Sequence, residues 1–438
     1  MDRLIVADNS LSKELSDSEL AKLTPLAGVT LGDLAGRHED LWVFPRSIGE
    51  NGDGLEDATI FCIQERKLQT GNVAGFFGNA GLSVRIHTRF DNDERQYFLQ
   101  YMLQKVLGVN IVRMPAESDP ESIWDMLVFL FPYVLKRSMA QGLYRTYRAF
   151  DCNDDHVRGA IDVGRYISQD VPFAGKVAYH TREYTGNNPL NHLVRHTIEH
   201  IRTRRRVAHI LEEDPDVRGQ VSKIIEVTPD YSLSERRQIV LKNARPIRHP
   251  YLTAVYDLQR LCTRILRNDK LSFGVNKDNI NGVLFDVAWL WEEYLSTILK
   301  PMGVEHPQNK KGLNPLWLYD ASLTGRVHGM CFPDFVGDGY ILDAKYKHSN
   351  HGKGIVPEDR YQLISYLHVT KDDTGALIYP IQASTGGGGI EWEGNLNGFG
   401  GKLGMYRFVI PQVQSDYLSF CKAIERSEEA LASFVESL

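Results

Sequence analysis

The stretch FPDFVGDGYILDAKYK, residues 332–347, decides how the last third of this 438-residue chain is read. Read as a β-hairpin, it puts Asp334 at the end of one strand and Asp343 in the next, with Lys345 two positions further on. Strand side chains alternate between faces, so Asp343 and Lys345 point the same way. Ile341, Leu342 and Ala344 predict a central, rigid strand. An Asp and a Lys in such a strand are costly unless they pair or bind metal. Two converging carboxylates suit a divalent cation with a taste for hard oxygen ligands, Mg²⁺ or Mn²⁺, that binds a phosphate oxygen and activates water. A nearby ammonium stabilises developing charge. The pattern is that of a PD-(D/E)xK nuclease.

Neither half of this motif is specific alone. The chain has three PD dipeptides (215–216, 229–230 and 333–334) and two (D/E)xK tripeptides (65–67 and 343–345). Only Pro333-Asp334 precedes one of them at hairpin distance. The competing reading is a surface turn followed by a strand with a salt-bridged Asp-Lys pair.

The flanks add an order of elements. Residues 284–299 (LFDVAWLWEEYLSTIL) read as an amphipathic helix. Three short apolar stretches follow, PLWLYDA, VHGMCFPDFV and GYILDAKYK, then a helix, PEDRYQLISYLHV, and a strand, ALIYPI. That is αβββαβ. The first helix carries adjacent Glu292 and Glu293; Glu292 lies one turn after Ala288 and so nearer the packed face. Either could supply a third carboxylate. The second places Gln362 and Tyr366 on one face, where they could orient DNA or water. The alternative for both helices is ordinary surface decoration. STGGGG (384–389) reads as a flexible loop, and the C-terminal segment as a helix capped by Ser415.

Upstream, LWVF (41–44), TIFCI (59–63) and LSVRIHTRF (82–90) read as strands separated by the Gly-rich NGDG and GFFGNAG. Helical spacing marks 97–107, 122–139, 188–211 and about 250–267, with Asn187 or Asn188 as N-cap and Pro189 in the first turn of the third. The polar RNDKLSFGVNKDN (267–279) is the expected boundary. The predicted class is α/β (α+β overall): a mixed, strand-rich N-terminal domain over 1–120, a mainly helical middle region over 121–275, and a restriction-endonuclease-like core over 276–438.

Composition excludes several classes. Apolar residues make up 42% and charged residues 24% of the chain, as in ordinary globular proteins. Five scattered cysteines form no CxxC pair, which argues against a zinc ribbon and for a reducing, cytoplasmic setting. The start does not read as a signal peptide, and the longest apolar run, Met126–Leu135, is far short of the ~20 residues a membrane span needs. A net charge of −6 argues against a protein that coats nucleic acid with its whole surface. Arg202, Arg204, Arg205 and Arg206 could bind phosphates, or form a solvated face paired with Glu199, Glu212 and Glu213. His192, His196 and His200 line one helix face and could hold a transition metal, but no HExxH and no adjacent fourth ligand accompany them, so they read as core or surface histidines. No GxxxxGK[ST] occurs, and no GxSxG.

Several blocks in one order carry a resemblance: GLYRTYRAF (142–150), VRGAIDVGRYI (157–167), YTGNNPLNHLVRHTI (184–198), LWEEYL (290–295), FPDFV (332–336), ILDAKYK (341–347), RYQLISY (360–366) and LIYP (377–380). Together they resemble the McrC family, the nuclease subunit of modification-dependent McrBC-type restriction systems. The resemblance implies nuclease residues at Asp334, Asp343 and Lys345, an LFE-like glutamate at Glu292 rather than Glu293, and the family's helical glutamine at Gln362. The Asn187–Asn191 block becomes structural. On this reading Asp334, Asp343, Glu292 and the Ala344 carbonyl hold Mg²⁺ or Mn²⁺. Lys345 orients water and stabilises the pentacovalent phosphate, and Lys347 and Tyr366 touch nucleic acid. The family also implies partners: a hexameric McrB-like AAA+ GTPase, whose hydrolysis is stimulated and which recognises methylated cytosine, and double-stranded DNA, with no membrane. Its motor-binding part is usually N-terminal. The rival expectations are a non-cleaving adaptor of such a motor and a stand-alone metal-dependent nuclease.

Overall fold

The computed structural model describes residues 2–33, 41–44, 59–79, 82–91, 96–107, 127–204, 207–267, 281–307, 316–348, 354–385, 387–398, 400–412 and 414–438. The chain is mixed α/β, and it divides into two compact units, Met1–Val112 with Ser272–Leu438, and Arg113–Leu271. The expected boundary at 267–279 falls, apart from Arg267, outside the described residues.

In the first unit, a five-stranded sheet runs Asp2–Ala7, Leu82–His87, Val73–Asn79, Asn281–Asp286, Leu41–Phe44. One of its strands, Asn281–Asp286, therefore comes from more than 200 residues downstream of its neighbours. Leu82–His87 alternates buried and half-buried positions, and Val84 and Ile86 join Leu4, Val6, Leu41 and Leu284 in one core. TIFCI becomes Phe61–Gln64, paired with Lys67–Thr70 in a separate three-stranded sheet. The expected loop GFFGNAG is mostly strand. Gly75 sits at φ +133°, where a Cβ would lie 2.2 Å from the Val283 carbonyl oxygen, so its glycine serves close strand approach rather than a turn.

The second sheet of this unit is ordered Phe335–Val336, Tyr340–Ala344, Thr374–Gln382, Lys402–Ile410, Gly389–Asn395. Its three middle strands are parallel, and both edges are antiparallel. Thr374–Gln382 is buried along almost its whole length, as a parallel strand covered on both faces must be. The helix Pro357–Thr370 lies where expected, and the helix expected over 284–299 starts at Val287, because Leu284–Asp286 complete the strand Asn281–Asp286. Asp286 caps the first of them by accepting from the Ala288 amide at 2.9 Å.

Four details depart from expectation. The first apolar stretch, as Leu316–Tyr319, pairs only with His328–Cys331 in a separate hairpin. VHGMCFPDFV is cut in two because Pro333 lacks the N–H that a continuing ladder needs. Two strands, Gly389–Asn395 and Lys402–Ile410, follow the STGGGG segment where the sequence reading assigned no element; a Cβ on Gly404 would meet the Trp392 ring at 2.7 Å. The C-terminal helix, Tyr417–Glu436, is capped by Asp416, not Ser415: Asp416 Oδ1 accepts from the Ser419 amide at 2.8 Å.

The second unit holds helices Phe131–Ala140, Pro189–Arg202, Pro215–Val227 and Ala254–Arg267, shorter helices, and a three-stranded antiparallel sheet formed by Thr146–Asp154, Val177–Thr185 and Ala160–Ile161. The helix expected over 188–211 stops at Arg202. Asn188 is its N-cap, with Oδ1 accepting from the Asn191 amide at 3.1 Å, and Pro189 opens it. Ala208–Leu211 is a separate 3₁₀ turn. The five cysteines are free, and no described helix is long and apolar enough to cross a membrane.

Candidate functional site

The hairpin is tight. Phe335 pairs with Leu342 and Val336 with Ile341, so one further step of the register sets Asp334 across from Asp343. The turn closes through the Gly337 amide, which donates to the Tyr340 carbonyl at 2.9 Å, with Gly339 at φ +85°. Asp334 lies in the break made by Pro333, and its Oδ2 accepts from the Ala344 amide at 2.7 Å. Asp343 is buried in the strand between Phe335–Val336 and Thr374–Gln382. The Lys345 amide donates to the Ile378 carbonyl at 3.0 Å, which anchors the chain just beyond the strand's end.

Lys345 folds back so that its ammonium pairs with Asp343. Its Nζ also donates to Gln362 Oε1 at 2.9 Å. Gln362 Nε2 donates to the Tyr366 hydroxyl at 2.6 Å, and that hydroxyl donates to the Phe332 carbonyl at 3.0 Å. A continuous hydrogen-bonded chain thus runs from the ammonium across the helix Pro357–Thr370 to the residue before Pro333. Burial raises the Tyr366 phenol's pKa, and the charge of Asp343 raises it further, so it stays a donor.

The electrostatics are strained in one direction. Removal from water raises the Asp334 pKa, and the charges of Asp343 and Glu292 push it further. Burial also raises Asp343, against the pull of Lys345. Burial disfavours the charge on Lys345, but Asp343, Asp334 and Asp359 outweigh it and hold its pKa above the usual lysine value. Carboxylates crowded this way gain from a cation. Asp343 Oδ2 takes the Lys345 ammonium as its partner, so a cation already stands against the carboxylate that a metal would share. Among the described residues no three His, Cys, Asp or Glu side chains form a ready-made cage. The donor set of Asp334, Asp343, the Ala344 carbonyl and nearby Glu292 therefore fits an ion that keeps part of its water shell, as Mg²⁺ does, rather than a closed structural site.

Glu292 is near enough for its charge to act on Asp334, and it is the less exposed of the adjacent pair, at 14% against 33% for Glu293. Between them and Asp334 lies a residue that the sequence reading passed over. His306 Nδ1 donates to the Asp334 carbonyl at 2.7 Å, and Nε2 lies 3.7 Å from Glu292 Oε1 and 3.8 Å from Glu293 Oε1. Its ring stacks on Phe335, centroids 5.0 Å apart. A two-bond bridge between Glu305 and Val336 carries it there. Burial alone would lower its pKa, but the contact with Glu293, the bond to Asp334 and the charge of Glu292 raise it. No spacing or motif marks His306; only the bridge does.

The other singled-out residues go elsewhere. Lys347 pairs with the buried Asp359 at 2.6 Å, and Tyr379 donates to that same carboxylate at 3.0 Å. His192, His196 and His200 are all buried. His192 Nε2 meets Asn187 Oδ1 at 2.6 Å, His196 packs on the Tyr231 ring at 4.7 Å, and His200 Nδ1 lies 3.3 Å from Arg236. Burial pushes the His196 pKa down to about 4 and lowers that of His192, so these two rings are neutral imidazoles in the core. Arg202 pairs with Glu199 at 3.1 Å and Glu212 at 3.9 Å, the solvated-face arrangement; Arg205 and Arg206 lie outside the described residues.

No curated protein matches the chain. A chain from a refined half-complex of a tetradecameric assembly of Thermococcus gammatolerans McrB AAA+ hexamers with bound McrC superposes with a TM-score of 0.52 at 12% identity, covering 98% of this chain and 99% of that one. At that identity the shared property is the fold. A chain of the Thermococcus gammatolerans McrBC complex reaches a TM-score of 0.33 at 12% identity, over 68% of this chain and 87% of that one. The model of the family described as "McrBC 5-methylcytosine restriction system component" matches residues 68–380. That match spans well over half of the residues and includes Glu292, Asp334, Asp343, Lys345 and Gln362, and the chain belongs to the family of McrBC 5-methylcytosine restriction system components.

Proposed function

We propose that this chain is the DNA-cutting subunit of an McrBC-like restriction complex, a PD-(D/E)xK nuclease that hydrolyses phosphodiester bonds with a divalent metal. The observation that carries the reading is the convergence of Asp334, Asp343 and Lys345 from two adjacent strands, with Gln362 on the ammonium. Asp334, Asp343 and the Ala344 carbonyl, helped by Glu292, would hold Mg²⁺ or Mn²⁺. Such an ion, when bound, withdraws charge from a phosphate oxygen and makes water a better nucleophile. Lys345 is then drawn off Asp343 toward the attacking water and the phosphate, where its charge opposes the growing negative charge. Gln362 keeps the ammonium from swinging out to solvent, and Tyr366 holds Gln362. Tyr366 and Lys347 are proposed to face nucleic acid, Lys347 by exchanging Asp359 for phosphate.

The second part of the proposal is a partner. The solved structure of similar fold contains McrC bound to McrB AAA+ hexamers. A hexameric AAA+ GTPase is therefore the proposed partner here, stimulated by this chain and supplying recognition of modified double-stranded DNA. The test is to combine the purified chain with the AAA+ protein encoded beside its gene and to assay GTP hydrolysis and cutting of methylated and unmethylated duplex with Mg²⁺. Expected are metal-dependent cutting by the wild-type complex and none by Asp343→Ala, with GTPase stimulation retained. A wild-type complex that stimulates GTP hydrolysis yet never cuts would make the chain an adaptor. Robust cutting without a partner would make it a stand-alone nuclease.

A further inference from the structure

We infer that His306 is a positioning residue that aims Glu292 at the Asp334–Asp343 pair, a role that rests on the metal site proposed above. Its ring is almost fully removed from solvent, with 3% of the side chain exposed. Each nitrogen has its own task. Nδ1 is held by the Asp334 carbonyl, so the ring's orientation is set by the same residue whose carboxylate faces the site. With Nδ1 donating, Nε2 is aimed between Glu292 and Glu293, near 3.7–3.8 Å from each. Phe335 stacks beneath and prevents the ring from tipping. The Glu305–Val336 bridge fixes the backbone on both sides of the strand that begins at Phe335. The result is one rigid link from the hairpin to the helix Val287–Leu299, two elements that otherwise supply their carboxylates independently. A glutamate on a helix has several rotamers, and holding it toward two other carboxylates opposes their repulsion. A cationic or donor nitrogen behind it makes that orientation tenable. Residues that orient ligands in this way typically matter by 10–100-fold in metal affinity.

The two nitrogens can be separated. In His306→Asn the amide nitrogen replaces Nδ1 and keeps the tie to Asp334; in His306→Gln it replaces Nε2 and keeps the reach to Glu292. Mn²⁺ binding to the full-length chain, measured by titration calorimetry and by the signal of free Mn²⁺ in electron paramagnetic resonance, is the readout, with thermal melts to check folding. Expected are binding by wild type, loss in Asp343→Ala, weakening on the order of 10-fold in His306→Ala, and affinity closer to wild type in His306→Gln than in His306→Asn. Glu292→Gln should weaken binding similarly, and adding it to His306→Ala should weaken it little more. The inference is overturned if His306→Ala binds as wild type does, if Asn rescues and Gln does not, or if the two losses add. Equal binding by wild type and Asp343→Ala overturns the site itself, a failure visible before any His306 variant is compared.

Discussion

Two clusters of titratable side chains compete for attention in this chain, and they are built on opposite principles. The acidic cluster draws Asp334, Asp343, Lys345, Gln362 and Glu292 from a hairpin and two helices, and burial and neighbouring carboxylates drive up the pKa values of its two aspartates. The histidine cluster comes from one helix, every fourth residue, and each ring is absorbed locally by an asparagine, a tyrosine ring or an arginine. Periodicity alone aligns side chains along a helix whether or not they do chemistry. Convergence of like charges from separate elements is costly to maintain, and so it points to a ligand.

The sharpest way to break this contrast is activity. Asp343→Ala or Lys345→Ala should lower DNA cutting by the assembled complex on the order of 10²–10³-fold or more, while His196→Leu leaves it unchanged. A loss of cutting in His196→Leu, with folding intact, would move the chemistry to the wrong cluster.

Next in size is a pH effect confined to the histidine cluster. His196 titrates near 4 when folded and near 6.5 when unfolded. Between those values the unfolded chain binds the extra proton, so stability is complete above the unfolded pKa and is lost as pH falls toward the folded one. The loss should reach about 3 kcal/mol at the acid end. Urea unfolding followed between pH 7 and 4 would measure it as the difference in slope between wild type and His196→Leu, since the raised carboxyl pKa values of Asp334, Asp343 and Asp91 act in the opposite sense in both. An unchanged slope would mean His196 is not held neutral.

Smaller effects test the edges of each cluster. Tyr366→Phe removes the bond to the Phe332 carbonyl and leaves the amide of Gln362 without its acceptor. It should cost about 1 kcal/mol of stability and slow cutting severalfold, read as a lower kcat with little change in KM for DNA. Arg202→Ala removes only a surface pair with Glu199 and Glu212. A change below about 1 kcal/mol in the melting experiment is expected; a large loss of DNA affinity instead would restore the phosphate-binding reading of the arginine cluster.

Much of the fold was legible because local rules and global structure agree. ALIYPI (376–381) reads as a strand and lies within the buried parallel strand Thr374–Gln382. Asn188-Pro189 announces a helix start that the structure keeps. Legibility failed where glycine served packing rather than turning. Gly75 and Gly404 sit inside strands because a neighbouring backbone or an indole ring leaves no room for a Cβ, and nothing local distinguishes such a glycine from one in a loop. The Asp416 cap was missed by one position because Ser415 and Asp416 are both good caps.

Asp343 and Lys345 share a face by strand alternation, and Gln362 and Tyr366 by helical spacing; local sequence determines these relations, since each depends on one element's geometry. It also determined the break at Pro333 that leaves Asp334 just before the strand, at the open end of the hairpin. Only the tertiary structure decided that Gln362 reaches the ammonium of Lys345, that Lys347 turns to Asp359, and that His306 stands between Asp334 and Glu292. These contacts join residues from separate elements. Their partners are chosen by how the sheet, hairpin and helices pack, and no spacing along the chain records that choice.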